Sequence, residues 1–183
     1  MAAETGSDEA DLVERLRRGD RDAIAQTYVA YQVPIRAFAR RLVGDPAAAE
    51  DIVHDTFLAL PRAMRSYRGE SPLRAFLIGV AVNHSRRHIR SAARRRKAIE
   101  RMPAGPQAVD GALQMEQRRL AEKLWRALDA IPIDQRIAFV LCEVEQRTSG
   151  EAAAILDAPE GTIRSRVFHA RKRLRELLGE DAR

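Results

Sequence analysis

The apolar residues in the first part of the chain recur at intervals of three and four, which is the period of an amphipathic α-helix. They predict one helix over residues 8–18 and a second over residues 20–43, separated by a turn at Gly19. Pro34 lies inside the second helix and predicts a kink, because proline lacks a backbone donor and clashes with the preceding turn. The apolar stripe of this second helix consists of Ile24, Tyr28, Tyr31, Ile35, Phe38 and Leu42.

A third helix is predicted from a stop signal and a start signal that lie side by side. Gly44 is typical of a helix end, while Asp45 is suited to cap the next helix and Pro46 to occupy its first position. This helix is expected to continue to about Ser66. Its apolar face consists of Val53, Phe57, Leu60 and Met64.

A short loop over residues 66–70 precedes a predicted fourth helix. Ser71 is expected to cap this helix and Pro72 to lie in its first turn. The helix is expected to extend toward the basic tract at residues 94–97. Its inward residues are predicted to be Leu73, Phe76, Leu77, Val80 and Ala81.

Residues 98–112 contain two prolines and two glycines with weak periodicity, which predicts a flexible linker. Helical stripes resume beyond this segment, on either side of Pro132. The residues of these two stripes are Leu113, Leu120, Leu124, Leu128 and Ile131, followed by Ile137, Val140, Leu141 and Val144.

The stretch TSGEAAAILDAPEGTIRSRVFHARKRLR, residues 148–175, has the pattern of a helix-turn-helix. A short helix of small residues is followed by the break Asp157-Ala158-Pro159 and then by a basic second helix over about 160–178. The second helix of such a motif lies in the DNA major groove with its early residues facing base edges. Its own buried face is predicted to be Ile163, Val167, Ala170 and Leu174.

The fold predicted from these elements is all-α, with two small helical domains. Aromatic residues make up only 5% of the chain, and β-branched residues are sparse beside Ala, Leu, Arg and Glu, which favours helix over strand. We place a four-helix domain at residues 8–97, the linker at 98–112, and a four-helix domain containing the helix-turn-helix at 113–179.

The net charge of +6 is concentrated in two places. Residues 83–101 hold eight Arg or Lys and one acid, and residues 164–175 hold six and none. Two separated basic clusters predict two surfaces that contact phosphates. The alternative for each cluster is a solvated helix face or a basic linker.

Other features of the chain predict a soluble cytoplasmic protein without membrane insertion. No apolar run approaches the roughly 20 residues that span a bilayer, and the acidic N-terminus, MAAETGSDEADL, is unlike a secretory signal. Cys142 is the one cysteine, and its place on an apolar helical face predicts a small buried core residue rather than a reactive thiol.

The chain resembles the extracytoplasmic-function (ECF) family of RNA polymerase sigma factors from about residue 11 to residue 178. In the first half, GDRDAIAQTYVAY, ARRLVGDPAAAEDIVHDTFLAL and YRGESPLRAFLIGVAVN are similar to the family's second conserved region in order and spacing. In the second half, AIPIDQRIAFVLCEVE and ILDAPEGTIRSRVFHARKRLREL are similar to its fourth region.

The resemblance implies a subunit, not an enzyme, that binds the clamp coiled coil and the flap of core RNA polymerase and two promoter elements. It implies that the polymerase contacts are Glu50, Asp51, His54, Asp55 and Phe57. It implies that the −10 element is recognised by a loop holding an extruded base and by the helix after it, through Tyr67, Arg68, Glu70, Ser71, Asn83, Arg86, Arg87 and Arg90. The alternative for Tyr67 is a loop aromatic that packs on its own domain. It implies that the −35 element is contacted by Thr162, Arg164, Ser165, Arg166, His169, Arg171 and Arg173.

Four positions depart from the usual pattern of this family. Pro61 falls inside the third helix and is expected to kink it near Phe57. Phe76 stands where many members carry Trp. Gly150 weakens the supporting helix by about 1 kcal/mol relative to Ala. Asp157 occupies a turn position where Gly is usual, and Asp tolerates a left-handed backbone better than most residues.

The alternatives to this family are a stand-alone regulator and an enzyme. A stand-alone helix-turn-helix regulator would bind duplex sites without polymerase, usually as a dimer. An enzyme would need a nucleophile–base pair, a metal cluster or a phosphate loop, and none is evident in the sequence. His84 and His88 are spaced like metal ligands, yet a third ligand is lacking and arginines surround them, so no metal or other cofactor is expected. Control by a separate anti-sigma protein is expected, because the chain carries no sensing domain.

Overall fold

The computed structural model describes residues 4–99 and 112–179, and within them the chain forms helices and connecting turns with no strand. It divides into two compact units. One comprises the chain to His88 together with Ala154–Asp157, and the other comprises Ile89–Ala153 and the chain from Ala158. The all-α fold with two helical domains is thereby confirmed.

The N-terminal half contains helices joined by short turns. They are α1 (Glu4–Arg17), α2 (Arg21–Val43), α3 (Pro46–Ala63) and α4 (Leu73–Ile99), with a 3₁₀ turn (Met64–Ser66) after α3. Helices α2 and α3 are joined by a tight connection in which Gly44 adopts φ of 74° and its N–H donates to the carbonyl of Arg40. The Asp45 carboxylate accepts from the N–H of Ala47 at 3.0 Å, and Pro46 begins α3, as the sequence predicted.

The core of the N-terminal half draws on all of its helices. The predicted face of α3 is buried throughout, but the predicted stripe of α2 is correct only in its second half. Ile35, Phe38 and Leu42 are buried, whereas Tyr28 is 38% exposed. In the first half of α2 the buried residues are the small side chains of Ala23 and Thr27 instead. The Thr27 hydroxyl satisfies its hydrogen bond within the helix by donating to the carbonyl of Ala23 at 2.7 Å.

Both internal prolines lie within unbroken helical segments. Helix α2 passes through Pro34 and α3 passes through Pro61. Pro61 lies one turn after Phe57 and is exposed, while Phe57 itself remains buried. A proline near the end of a helix removes one backbone hydrogen bond and leaves the rest of the helix intact.

The start of α4 differs from its prediction. Helix α4 begins at Leu73, and the Pro72 carbonyl accepts from the N–H groups of Ala75 and Phe76. The N–H of Leu73 donates to the Oε1 atom of Glu9, on α1, at 2.8 Å. The predicted capping role of Ser71 is therefore filled by a side chain far away in sequence, which local pattern cannot reveal. Of the predicted inward residues, Phe76 and Val80 are only half-buried, while Ile78, Val82 and Ser85 are buried.

The C-terminal half contains α5 (Ala112–Asp129), α6 (Ile133–Phe139), a π-helical turn (Val140–Val144), α7 (Ser149–Leu156) and α8 (Glu160–Gly179). The last turns of α5 pack on the second half of α8. This part of the core consists of Ala127, Leu128, Ile131, Ala170 and Leu174, flanked by Trp125, Phe139, Leu177 and Leu178.

Two predicted stripes of this half are wrong at their ends. Leu120 is 68% exposed and Leu124 is 42% exposed, because the buried contacts of α5 with α8 involve its last turns. Val144 is 43% exposed, although Val140 and Leu141 are buried. The π-helical turn inserts an additional residue per turn and thereby rotates Val144 off the inward face.

The helix-turn-helix has the predicted order and boundaries. Asp157 adopts φ of 47°, which is the left-handed conformation anticipated at this turn. Helix α7 is capped reciprocally: the Thr148 hydroxyl accepts from the N–H of Glu151 at 3.2 Å, and the Glu151 carboxylate accepts from the N–H of Thr148 at 2.8 Å. This capping box offsets the cost of Gly150 in the first turn.

The predicted linker at residues 98–112 overlaps helix at both ends, because α4 extends to Ile99 and α5 begins at Ala112. The rest of it, residues 100–111, lies outside the described residues. Among the helices that are described, none combines the length and the apolar character that crossing a membrane requires.

Candidate nucleic-acid interface

Helix α8 presents a basic outer face above a buried inner face. Its inner residues Ile163, Val167, Ala170 and Leu174 are buried as predicted. The polar residues predicted to contact DNA lie on the outer side: Arg164, Ser165, His169, Arg171 and Arg173 are exposed, and Thr162 and Arg166 are half-buried. The helix therefore brings the predicted −35 set together on one element.

Several arginines of this face are held by acids. Arg164 Nη1 lies 2.7 Å from Glu160 Oε1, and Arg171 Nη2 lies 2.6 Å from Glu143 Oε1. Arg173 Nη1 lies 3.1 Å from Glu176 Oε2. A guanidinium has five N–H donors, so a carboxylate on one edge orients the group and leaves other donors for a ligand.

An open groove of about 670 Å³ lies between α8 and the segment that precedes α7. Its walls carry Arg147, Arg164, Arg171, Lys172 and Arg175. The groove is thus strongly basic, as a surface for nucleic-acid phosphates must be.

Two residues of this surface were not predicted to lie on it, Phe168 and Cys142. Phe168 lines the groove and is 64% exposed, with its ring 5.5 Å from that of His169 in an edge-on arrangement. A large apolar side chain exposed on a basic helix is the signal that could have identified it. Cys142 also lines the groove and is half-buried, not fully buried as predicted; partial burial and Glu143 raise the pKa of its thiol, which keeps it protonated.

The loop before α4 divides into a buried base and an exposed tip. Tyr67 is only 7% exposed; its hydroxyl donates to the Ser71 carbonyl at 2.6 Å and its ring lies 4.7 Å from that of Phe76. The ring of Tyr67 therefore packs within its own part of the chain and is not a free stacking surface. Arg68 and Glu70 are exposed at the tip.

The outer side of α4 carries the remaining residues of the predicted −10 set. Asn83, Arg87 and Arg90 are exposed, and Arg86 is half-buried. Arg86 Nη1 donates to Asn83 Oδ1 at 3.3 Å, which turns the Asn83 amide nitrogen away from the arginine. The N–H groups of the Asn83 amide therefore remain available to a hydrogen-bond acceptor.

An acidic surface lies on α3, and all but one of the residues predicted to form it are exposed. Glu50, Asp51, His54 and Asp55 are exposed. Phe57, by contrast, is 7% exposed and packs edge-on against Tyr28 at 4.9 Å, so it supports this surface from beneath.

The exposed apolar residue of this surface is the neighbour of Phe57, Leu58, which is 66% exposed. Val29 and Val33 on α2 are also exposed, at 72% and 64%. Glu50 forms an ion pair with Arg36 of α2 at 2.5 Å. Acidic and apolar groups are thus exposed on the two paired helices.

Of the two histidines of α4 that are spaced like metal ligands, His84 contacts a carboxylate of α3. His84 Nδ1 lies 3.5 Å from Asp55 Oδ2, and burial together with Arg87 lowers the pKa of His84, although Asp55 opposes that shift. Among the described residues, no group of three or more His, Cys, Asp or Glu side chains is arranged to hold a metal ion.

Comparisons with known proteins agree with this geometry. Residues 27–95 match the family Sigma-70 region 2, and residues 121–174 match Sigma-70, region 4. The chain is 32% identical over 173 residues to the ECF RNA polymerase sigma-E factor of Escherichia coli K12, covering 88% of this chain and 89% of that protein. It is 28% identical over 184 residues to the RNA polymerase sigma-H factor of Pseudomonas aeruginosa, covering 95% of each.

Solved structures show the same similarity. The sigma factor RpoE in complex with the anti-sigma factor NepR, from Bartonella quintana, is 30% identical with a TM-score of 0.61, covering 85% of this chain and 96% of that one. CnrH in complex with the cytosolic domain of CnrY has a TM-score of 0.65 at 24% identity, covering 94% and 98%, and shares the fold. With both sigma regions present in order and a relative of this similarity along nearly its whole length, the chain belongs to the ECF family of RNA polymerase sigma factors.

Proposed function

We propose that this protein directs core RNA polymerase to promoters with two separate elements, and that the surfaces described above divide the task. The observation that carries the proposal is that each matched sigma region exposes its own polar or basic surface: α8 in region 4, and the loop with α4 in region 2. The chain supplies recognition, and the polymerase supplies the chemistry.

The basic face of α8 contacts the −35 duplex. Arginine is suited to bidentate recognition of guanine, and Ser, Thr and the ring of Phe168 are suited to other base edges, including the thymine methyl group. The arginines held by Glu143 and Glu160 are oriented before DNA arrives. Residues farther along the helix, such as Arg173, contact phosphates, which position the protein.

The loop tip and α4 contact the −10 element as a melted strand. Arg68 and Glu70 contact the edges of an extruded base, while Asn83 and the arginines at 86, 87 and 90 contact the strand that continues from it. Tyr67 and Ser71 act indirectly, because the hydrogen bond between them closes the base of the loop.

The acidic and apolar surface on α2 and α3 binds the clamp coiled coil of polymerase. Exposed carboxylates at 50, 51 and 55 suit basic side chains of a partner, and Leu58 adds apolar contact area at the same helix. We place the contact with the flap of core polymerase on the part of the chain that matches Sigma-70, region 4, residues 121–174. The solved relative from Bartonella quintana is a complex with the anti-sigma factor NepR, which supports control of this chain by an anti-sigma protein in the cytoplasm.

Promoter binding with and without core polymerase tests the proposal. The purified chain is mixed with a pool of promoter DNA, alone or with bacterial core enzyme, and bound DNA and run-off transcripts are sequenced. We expect binding and initiation only with core enzyme, on sequences sharing two elements. Tight binding to a single or palindromic duplex site without core enzyme, and no transcript, would instead establish a stand-alone regulator.

A further inference from the structure

The loop between the 3₁₀ turn and α4 is held at both ends by side chains of α1. At its start, Arg17 Nη2 donates to the carbonyl oxygen of Tyr67 at 2.8 Å. At its end, Glu9 Oε1 accepts from the backbone N–H of Leu73 at 2.8 Å. Glu9 and Arg17 are separated from these partners by 64 and 50 residues, so both contacts are tertiary.

Both contacts are of a strong kind. Each joins a charged side chain to a backbone group, and such hydrogen bonds are shorter and stronger than neutral ones. The Glu9 carboxylate also lies at the positive end of the α4 dipole, where a negative charge is favourable. The Leu73 N–H is one of the first donors of α4, which have no partner within the helix itself.

The base of the loop is closed from within as well. The Tyr67 hydroxyl donates to the Ser71 carbonyl at 2.6 Å, and the ring packs on Phe76. Burial raises the pKa of Tyr67, Glu9 raises it further, and Arg17 lowers it. The anchors from α1 and the internal contacts therefore meet at one place.

The tip of the loop, residues 68–70, remains exposed between these anchors. Gly69 adopts φ of 79°, and a Cβ atom there would meet nothing within 4 Å. The tip is thus shaped by backbone conformation and is open to a ligand, while its two ends are held. A loop ordered before binding loses little conformational entropy when its ligand arrives.

We propose that Glu9 and Arg17 of α1 are positioning residues for the −10 element, which hold the loop so that its tip accepts a base extruded from the promoter strand. This inference rests on the proposed function. It assigns to α1, which precedes the residues matched to Sigma-70 region 2, a part in promoter recognition.

The test uses holoenzyme assembled from core polymerase and the full chain. Its probes are fluorescent single-stranded oligonucleotides carrying the −10 sequence found in the promoter-pool experiment, either intact or with an abasic site at each position in turn. Glu9→Ala and Arg17→Ala are compared with the wild type. Arg18→Ala is the matched control, because Arg18 is an exposed arginine of the same helical end that pairs with Glu14. Glu9→Gln is the conservative variant, since its amide oxygen still accepts from Leu73.

We expect Glu9→Ala and Arg17→Ala each to weaken binding of the intact strand about tenfold, the scale of one hydrogen bond to a charged group. The loss should vanish on the strand that lacks the captured base, and Glu9→Gln should restore part of the affinity, because it keeps the acceptor but not the charge. Affinity for core enzyme and for a −35 duplex should stay at the wild-type value, as should every property of Arg18→Ala.

The outcomes separate this inference from the function on which it rests. If wild-type holoenzyme recognises the −10 strand and the alanine variants bind it equally well, or lose the same factor on every abasic strand, the positioning role is wrong and the proposed function stands. If wild-type holoenzyme shows no preference for the −10 strand, the proposed function itself fails, and the positioning role with it.

Discussion

Asp55 of α3 contacts His84 of α4, with His84 Nδ1 lying 3.5 Å from Asp55 Oδ2. The contact links the helix proposed to bind polymerase with the helix proposed to bind the −10 strand. The side chain of His84 is 11% exposed and that of Asp55 is 59% exposed. The contact therefore joins the outward acidic surface of α3 to the interior side of the helix proposed to contact the −10 strand.

The His84 environment predicts a loss of stability in mild acid. Burial and Arg87 lower the pKa of His84 in the folded chain below the ordinary value of about 6.5. Below that pH the unfolded chain binds a proton that the folded chain resists, so the free energy of unfolding should fall as the pH falls. Urea unfolding at pH 7.5 and 5.5 should show a smaller decrease for His84→Gln than for the wild type. His54→Gln, which removes an exposed histidine of α3, is the control, and an equal decrease in all three proteins would contradict the prediction.

Substitutions on α3 and α4 should separate polymerase binding from −10 recognition. Asn83→Ala is expected to weaken open-complex formation about tenfold while leaving affinity for core enzyme unchanged, because its amide faces solvent on the outer side of α4. Asp51→Asn combined with Asp55→Asn should do the reverse. Competition for core enzyme and permanganate footprinting of melted promoter measure the two properties. The two-surface arrangement is wrong if both variants change duplex binding alone.

Phe168 is expected to recognise a thymine methyl group in the −35 element. Its exposed ring lies in the basic groove of α8, and burying one methyl group contributes about 0.8 kcal/mol, a roughly fourfold change in affinity. Replacing each −35 thymine by uracil should weaken binding of wild-type holoenzyme at one position, and Phe168→Ala should remove that sensitivity. Phe168→Leu keeps an apolar contact and should retain it. Equal sensitivity of the wild type and Phe168→Ala to every uracil would refute this role.

Asp157 holds a backbone conformation that glycine adopts without strain. Because φ is 47°, Asp157→Gly relieves the strain between the Cβ atom and the backbone. The greater conformational entropy of glycine in the unfolded chain offsets part of this gain. The net effect should raise the free energy of unfolding of the C-terminal half by about 0.5–1 kcal/mol. Asp157→Ala, which keeps the Cβ atom and loses the carboxylate, should lower it. Thermal unfolding of the three proteins gives the order, and a less stable glycine variant would show that the Asp157 side chain outweighs the strain of its backbone.

Local pattern was sufficient for much of this protein. Asp45 and Pro46 start α3, Asp157 takes the left-handed turn, and Ile163 and Val167 lie on the buried face of α8, because capping, turn conformation and helical periodicity depend on residues close together in the chain. The motifs of both halves also predicted the family, which the comparisons confirm. The exposure of Arg164, Ser165, His169, Arg171 and Arg173 on the outer side of α8 followed from the same periodicity.

Tertiary structure decided the matters in which a side chain's neighbours come from another helix. Tyr67 and Phe57 were predicted to face ligands, yet both are buried. The ring of Tyr67 packs against Phe76, and the ring of Phe57 packs against Tyr28. Periodicity places Glu9 on the polar side of α1 and gives it no role. In the structure it caps α4 by accepting from Leu73, 64 residues away in sequence. The sequence by itself determined the helices, the turns and the family. The packing of helix on helix determined which aromatic rings are exposed and what holds the loop before α4. Burial and tertiary hydrogen bonds depend on distances in space, which periodicity along the chain does not encode.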